Sequence, residues 1–488
     1  MKRSRRTSTW AALALTTALP GVLTPAVSAA APQRPDRYIV VLDESAAADP
    51  AALATRQLGA VGGRAATSVR AVFRHALRGY AATLTPEQAA ALGRSPEVRF
   101  VARERTYRPA TERVRPPLAS TTRPVAPASP SCRTAVDITR RQCLPAWADR
   151  IDAERSTARS GDGRGAVTGV NVAVVDTGIT GDHPDLNVRG GTDCTTGQPV
   201  VPGTSLSDPA GFGTLLGGLV GARDNRSGIV GTAPGAPLWS LKVFPDDGTP
   251  ATDAAVLCAL DRAAASRTDT DPGNDIHVAT LAFASTNLAP ADDGACGANN
   301  ADALHMAVCN TARAGVTLVA AAGSFRYDIA VAAPAGYDEV LTATAMADFD
   351  GRPGGQDPAA CRGTDYASFG FLDDQAAIPS SGFARSPADR RHVVAAPGAC
   401  VEATGPAAEP LPLLSTGTGP ATGIAAGVTA LCVAHGPCTK DDPARTVRRI
   451  VTDADRHRRH TPDFGYHGDP DHPVRGRSYG SLLDAALY

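Results

Sequence analysis

Apolar positions follow two different rhythms along this chain. Over residues 37–107 short apolar runs alternate with helical spacing. Residues 37–42 (RYIVVL) read as a strand, 50–58 as a helix, and 72–77 and 79–84 as two further strands. Thr85-Pro86-Glu87-Gln88 has the form of a capping box with Pro at the first helical position, and 98–101 (VRFV) closes the set as a strand. Strands and helices mixed in this way, without a cysteine, predict a small α+β module.

From Trp147 onward the rhythm changes. Residues 171–175 (NVAVV), 238–244, 278–283 and 317–322 (TLVAAA) are nearly continuous apolar runs, and 252–265 and 301–313 carry helical spacing between them. Buried strands alternating with helices predict a mostly parallel sheet covered on both faces, a three-layer α/β domain. Between the two parts, residues 108–131 are rich in Pro, Arg, Thr and Ser. Such a composition buries too little surface to order itself, so this stretch reads as a linker. No internal repeat is present.

Composition changes this picture little. A formal net charge of −1 leaves no excess to drive nucleic-acid or membrane-surface binding. The N-terminus adds more. Lys2, Arg3, Arg5 and Arg6 precede an apolar run over 10–27, and Ser28, Ala29, Ala30 and Ala31 supply small residues for cleavage. This pattern predicts a signal peptide over 1–30 and an extracellular or cell-surface protein. The alternative, a membrane anchor, is weakened by Pro20 and Pro25 and by the lack of a basic stop-transfer flank. No other stretch approaches the roughly 20 apolar residues a span needs. Export agrees with ten cysteines, all beyond position 130, which an oxidising compartment converts to disulfides. Cys132 with Cys143, and Cys432 with Cys438, are spaced to close short loops; the spacing leaves connectivity open. A rival zinc reading has only His435, between Cys432 and Cys438, and no CxxC pair.

Five ordered motifs then carry a resemblance. Asn171-Val-Ala-Val-Val-Asp176-Thr-Gly178, followed by His183-Pro-Asp-Leu186, looks like the aspartate motif of the subtilase family. Asp224-Asn225 with Gly228-Ile-Val-Gly-Thr-Ala-Pro234 resembles the stretch after that family's histidine helix. Gly315-Val-Thr-Leu-Val-Ala-Ala-Ala-Gly323 resembles the strand before its oxyanion asparagine. Ala395-Ala-Pro-Gly398 and Gly417-Thr-Gly-Pro-Ala-Thr-Gly-Ile-Ala-Ala-Gly427 resemble the approach to its serine helix. The resemblance implies a subtilisin-like domain over 132–488 and an inhibitor I9-like prodomain over 31–107. It covers nearly the whole exported chain.

That family needs a Ser nucleophile, a His base, an Asp to orient the His, and an amide for the oxyanion. Matched residue by residue, Asp176 stands at the aspartate position. Phe212 stands where the histidine belongs, in Phe212-Gly-Thr-Leu215. Gly419 stands at the serine position and Ser324 at the oxyanion asparagine. Residues 281–285 (LAFAS) replace the usual cleft segment. The register around Gly419 also suits a helix start, with Gly419 as N-cap and Pro420 in the first turn. Asp176 reads better as a strand-end residue holding the Thr177-Gly178 turn than as a working triad member, and Phe212 as filling for the core or cleft floor. Asp185 and Asn225 match the family's oxygen-ligand calcium site, against which two solvated loop residues are the simpler reading. The Asp/His-rich stretch 453–472 invites a metal, but no ligand spacing repeats, and a solvated loop is expected there.

The resemblance therefore implies a catalytically inactive pseudoprotease that acts by binding a peptide or protein in the former substrate cleft, alongside its own prodomain. No cofactor is required, although a structural Ca2+ is compatible, and a monomer is expected. Self-cleavage cannot run in cis, so the prodomain stays attached unless another protease cuts the linker. Two alternatives stay open. One is an active serine endopeptidase with a displaced site, for which Ser415, Thr416 and Thr418 offer hydroxyls, but no His lies close in sequence to act as base: His183 belongs to the turn after Asp176 and His305 to the 301–313 helix. The other is a different enzyme, for which no cofactor motif appears.

Overall fold

The computed structural model describes residues 34–46, 48–62, 69–113, 142, 144–201, 204–355, 360–361, 364–406 and 413–488. The expected signal peptide, most of the 108–131 linker, Cys132 and Cys143 lie outside the described residues.

The small module folds as its pattern dictates. Strands β1 (Asp36–Leu42), β2 (Val69–Phe73), β3 (Gly79–Leu84) and β4 (Val98–Arg103) form an antiparallel sheet in the order β2-β3-β1-β4. Helices α1 (Pro50–Ala60) and α2 (Pro86–Leu92) cover one face. The capping box is present: Thr85 Oγ1 accepts from Gln88 N–H, and Gln88 Oε1 accepts from Thr85 N–H at 2.9 Å. Strand β2 ends earlier than expected because Asp261 Oδ1 takes the N–H groups of Arg74, His75 and Ala76, at 3.0, 2.6 and 2.9 Å, and turns the chain.

The first residues of the expected linker, 108–113, are strand-paired and not free linker. They complete β5 (Thr106–Pro109) and supply β6 (Glu112–Arg113), each paired to the larger domain. That domain begins with α3 (Ala146–Arg150) and continues through β7 (Asn171–Asp176), β8 (Val188–Asp193), α4 (Phe212–Gly221), β9 (Leu238–Lys242) and β10 (Ala251–Thr252). Next come α5 (Asp253–Ser266), β11 (Ile276–Leu281), β12 (Phe283–Ser285), α6 (Ala303–Arg313), β13 (Thr317–Ala321) and β14 (Leu341–Ala347). Three short strands follow, β15 (Ala360–Cys361), β16 (Thr364–Asp365) and β17 (Gln375–Ala376). The last elements are β18 (Val393–Pro397), β19 (Val401–Ala403), β20 (Leu413–Thr416), α7 (Thr418–His435), α8 (Pro443–His460) and β21 (Ser481–Leu482).

A nine-stranded sheet runs β21-β18-β14-β13-β11-β7-β9-β8, parallel throughout, with β17 antiparallel on β14. Both faces are covered, as the unbroken apolar strands require. Val172, Val174 and Val319 pack with Leu215, Leu216 and Leu219 of α4 and Ile424 and Val428 of α7. Ala173, Val175 and Leu318 pack with Leu257 of α5 and Leu304 and Val308 of α6. The second core also takes in Ile39, Val41 and Phe73 of the small module. Its sheet is therefore buried twice, with Tyr38, Val40 and Leu42 facing α1 and α2 and the alternate residues facing the larger domain.

Among the described residues, four disulfides join Cys194–Cys258, Cys296–Cys309, Cys361–Cys400 and Cys432–Cys438. The last is the short loop expected from spacing, and it removes the thiolates that a zinc site would need. Residues 453–460, expected in a loop, instead complete α8. Among the described residues, no helix is long and apolar enough to cross a membrane.

Candidate functional site

The site lies where β7, α4 and α7 begin or end. Asp176 closes β7 and is fully buried. Its Oδ1 accepts from Thr177 N–H at 2.7 Å, while Oδ2 has no hydrogen-bond partner. Burial pushes the carboxyl up to about 7; the Thr177 hydrogen bond works the other way, and the Asp208 carboxylate adds to the rise. Asp208 organises the neighbouring helix start. It accepts from Gly211 N–H (2.6 Å), Thr214 N–H (2.8 Å) and Thr177 Oγ1–H (2.7 Å). Thr177 Oγ1 in turn accepts from Gly213 N–H at 3.0 Å. This chain of bonds ties the Asp176 turn to the first turn of α4, where Phe212 is the first residue and is half-buried.

Helix α7 starts at Thr418, with Gly417 as its N-cap rather than Gly419. The difference matters chemically. Gly419 lies in the first turn, where backbone N–H groups have no partner within the helix. Its N–H donates instead to the carbonyl oxygen of Ala110, at 2.7 Å. Ser324 Oγ–H donates to the same oxygen at 3.0 Å and accepts from Thr418 N–H at 3.4 Å. Two donors thus converge on one carbonyl. The chain that supplies it continues unbroken: Ala110 N–H donates to Ala282 O at 2.8 Å, β5 pairs antiparallel with both β12 and β10, and β6 pairs with β20.

At Gly419 the missing side chain has a consequence. A Cβ there would lie 1.8 Å from Thr111 Oγ1 and 3.0 Å from the Ala110 oxygen. Thr111, buried, fills the space a side chain on residue 419 would need. Its hydroxyl has no hydrogen-bond partner. The site can therefore polarise the Ala110 carbonyl, but residue 419 carries no nucleophile and residue 212 no base.

The other groups considered from the sequence do not repair this. Ser415 Oγ and Thr418 Oγ1 are buried without hydrogen-bond partners, so no base touches them. Thr416 Oγ1 serves Cys400 N–H and Tyr366. His183 Nδ1 accepts from Asp185 N–H, and His305 pairs with Glu339 at 3.0 Å. Asp185 and Asn225 do come together, but as donor and acceptor. Asn225 Oδ1 accepts from Ser227 N–H at 2.7 Å, which turns Nδ2 toward Asp185 Oδ1 at 2.6 Å. Calcium takes oxygen ligands only, so this arrangement does not fit the ion. In 453–472 acidic residues have basic partners, Asp453 with Arg449, Asp455 with Arg458 and Asp469 with His472.

Sequence reading missed Ala110 and Thr111. The available signal was Tyr107, an aromatic that opens a strand running on into residues that composition marks as linker from 108.

The comparisons agree with this geometry. The model of the subtilase family matches residues 167–466, and the model of peptidase inhibitor I9 matches 37–110. The second match ends at the residue whose carbonyl the site holds. Subtilisin BL of Lederbergia lenta is 33% identical over 183 residues, 38% of this chain and 56% of that protein. A thermostable alkaline protease of Halalkalibacterium halodurans is 30% identical over 43% of this chain and 49% of its own length. The matched region thus spans about half of these relatives. In fold, the chain resembles fervidolysin of Fervidobacterium pennivorans, a keratinolytic enzyme related to subtilisin, with a TM-score of 0.59 and 19% identity over 93% of this chain and 61% of that one. With a subtilase match over 167–466, which takes in every strand of the nine-stranded sheet but β21, and an I9 match across the module that feeds its cleft, this chain belongs to the subtilase family.

Proposed function

We propose that this protein is a secreted, monomeric pseudoprotease that holds polypeptide without cutting it. Its resident ligand is its own prodomain tail, and a partner peptide or protein is the exchange ligand. One observation carries the reading: the Ala110–Thr111 peptide lies where a side chain on Gly419 would have to stand, with its carbonyl polarised by Ser324 Oγ–H and Gly419 N–H. Donors of this kind stabilise an oxyanion, but an attacking group is needed to form one. In a subtilisin, the measured case behind this magnitude, loss of the Ser or the His alone lowers kcat by about 10⁶. Disulfides and the basic, then apolar, N-terminus support export.

The test is purified signal-less chain, incubated alone, then read by intact mass and fluorophosphonate labelling. The expected result is one unlabelled species with the Ala110–Thr111 bond intact. Labelling together with a cut between residues 108 and 131 would establish a displaced nucleophile, and the endopeptidase reading would replace this one.

A further inference from the structure

Beside the silent centre, the tail inserts two side chains into the larger domain. Arg105, just before β5, and Tyr107, within it, both reach Asp253. Arg105 Nη1 donates to Asp302 Oδ2 at 2.8 Å and Nη2 to Asp302 Oδ1 at 2.5 Å, a two-pronged ion pair. Nη2 also reaches Asp253 Oδ1 at 3.4 Å, and Arg105 N–H donates to Asp253 Oδ2 at 2.7 Å. Tyr107 is fully buried, donates its hydroxyl to Asp253 Oδ1 and meets Phe283 edge-on at 5.4 Å. Tyr337 O–H donates to Asp302 Oδ2 at 2.8 Å from the far side.

Both carboxylates are rooted in helix starts. Asp253 begins α5, and Asp302 caps α6 by accepting from His305 N–H at 3.1 Å. Asp302 cannot turn away without losing that cap, whereas the Asp253 carboxylate is held by Arg105 and Tyr107 themselves. Their side chains are 3% and 7% exposed, and two carboxylates buried this deeply need a cation beside them. Everything required of a binding pocket is supplied by the larger domain, and everything that neutralises it comes from the tail.

We propose that Asp253, Asp302, Tyr337 and Phe283 form a selectivity box for extended polypeptides carrying a guanidinium and a tyrosine at positions i and i+2. Arg105 and Tyr107 fill it in cis, and a partner polypeptide of the same pattern engages it when the tail is displaced. The proposal rests on the reading of this cleft as a holder of polypeptide, and it names the class of polypeptide held. Backbone pairing along β10 and β12 is indifferent to sequence; the box is what discriminates.

The experiment uses the full chain carrying Arg105→Ala and Tyr107→Ala, so that the box is vacated, and a fluorescent peptide RTYRPATER. Saturable binding is expected. Replacing the peptide Arg by Glu, or its Tyr by Ala, should weaken binding about tenfold or more, the scale of a lost charge-assisted hydrogen bond. Adding Asp302→Asn to the receptor should abolish the preference for Arg over Glu. Equal binding of all peptides, or binding of none, overturns the proposal. A second measurement does not depend on emptying the box. In the otherwise unaltered chain, Asp302→Asn should raise amide exchange of residues 106–110 about tenfold or more while leaving β11 unchanged; unaltered protection of the tail also overturns it. Fluorophosphonate labelling of the same samples separates the two readings. A labelled receptor that still selects Arg and Tyr sinks the silent protease alone, and an unlabelled, unselective receptor sinks the box alone.

Discussion

Replacing Gly419 with alanine puts a methyl group 1.8 Å from Thr111 Oγ1 and 3.0 Å from the Ala110 oxygen. In an unencumbered helix the same change favours folding, by up to ~1 kcal/mol. Here the contact is far inside van der Waals separation, so either α7 or the tail must move. Overfilling a packed site costs about 1–3 kcal/mol, which exceeds the propensity gain over most of that range. The tail should yield, because α7 is packed against α4 and the central sheet while residues 110–113 are held by single-strand pairings. Hydrogen exchange of the amides at 107–113, followed by mass spectrometry on the full chain, reads this directly. Each 1.4 kcal/mol of lost protection is about tenfold in exchange rate, so a cost of about 1–3 kcal/mol predicts an acceleration of about fivefold to about a hundredfold. Thr111→Gly removes the Oγ1 and Cβ that the methyl meets and leaves only the Ala110 oxygen, at 3.0 Å, so Gly419→Ala should cost much less in that background. If Gly419→Ala leaves the tail as protected as before, or if the two changes do not couple, then the uncut chain does not occupy this space and the reasoning fails.

Further outcomes follow from the same geometry. Asp176 has a folded pKa of about 7 against an ordinary 3.8, so between those values the folded state binds more protons than the unfolded one and stability falls as pH rises. Asp176→Asn should abolish this fall, a difference of up to about 4 kcal/mol at 1.36 kcal/mol per unit, seen in urea titrations from pH 4 to 8; parallel curves for the two proteins would contradict it. EDTA should leave the thermal midpoint unchanged, because Asn225 Nδ2 already occupies Asp185; a drop would mean that a cation is bound. Loss of the Cys194–Cys258 link, which closes 64 residues, should cost about 4 kcal/mol in a double Ser variant on the chain-entropy account, read as a lower urea midpoint. An unshifted midpoint would place that loop's order elsewhere.

The fold was legible because its strongest signals are local. Thr85 and Gln88 announce α2 by their own chemistry, and the unbroken run at 171–175 needs two covering layers wherever it sits. At the centre, Asp176, Phe212, Ser324 and Gly419 could be aligned because each sits inside a fixed motif. What could not be read was non-local. Residues 108–113 look like linker because their strand partners, β12 and β20, lie far away in sequence. Asp253 and Asp302 read as ordinary helix-opening acids until Arg105 is placed between them. Asp185 and Asn225 were rightly brought together by motif, but which end of an amide faces a carboxylate is decided by Ser227, and spacing carries no such information.

A tail that enters the cleft at β5 and leaves at β6 without a break makes occupancy of the site a property of one molecule. A segment tethered on a short span acts at an effective concentration on the order of millimolar. Even if its intrinsic affinity were only about 1 μM, it would fill its own cleft about a thousand times more often than not. Dilution cannot change that ratio, because both partners share one chain. An outside ligand gains entry by abundance, by much tighter contacts, or by arriving after the tether has been cut, and the last route would make a neighbouring protease the timer of this protein's binding.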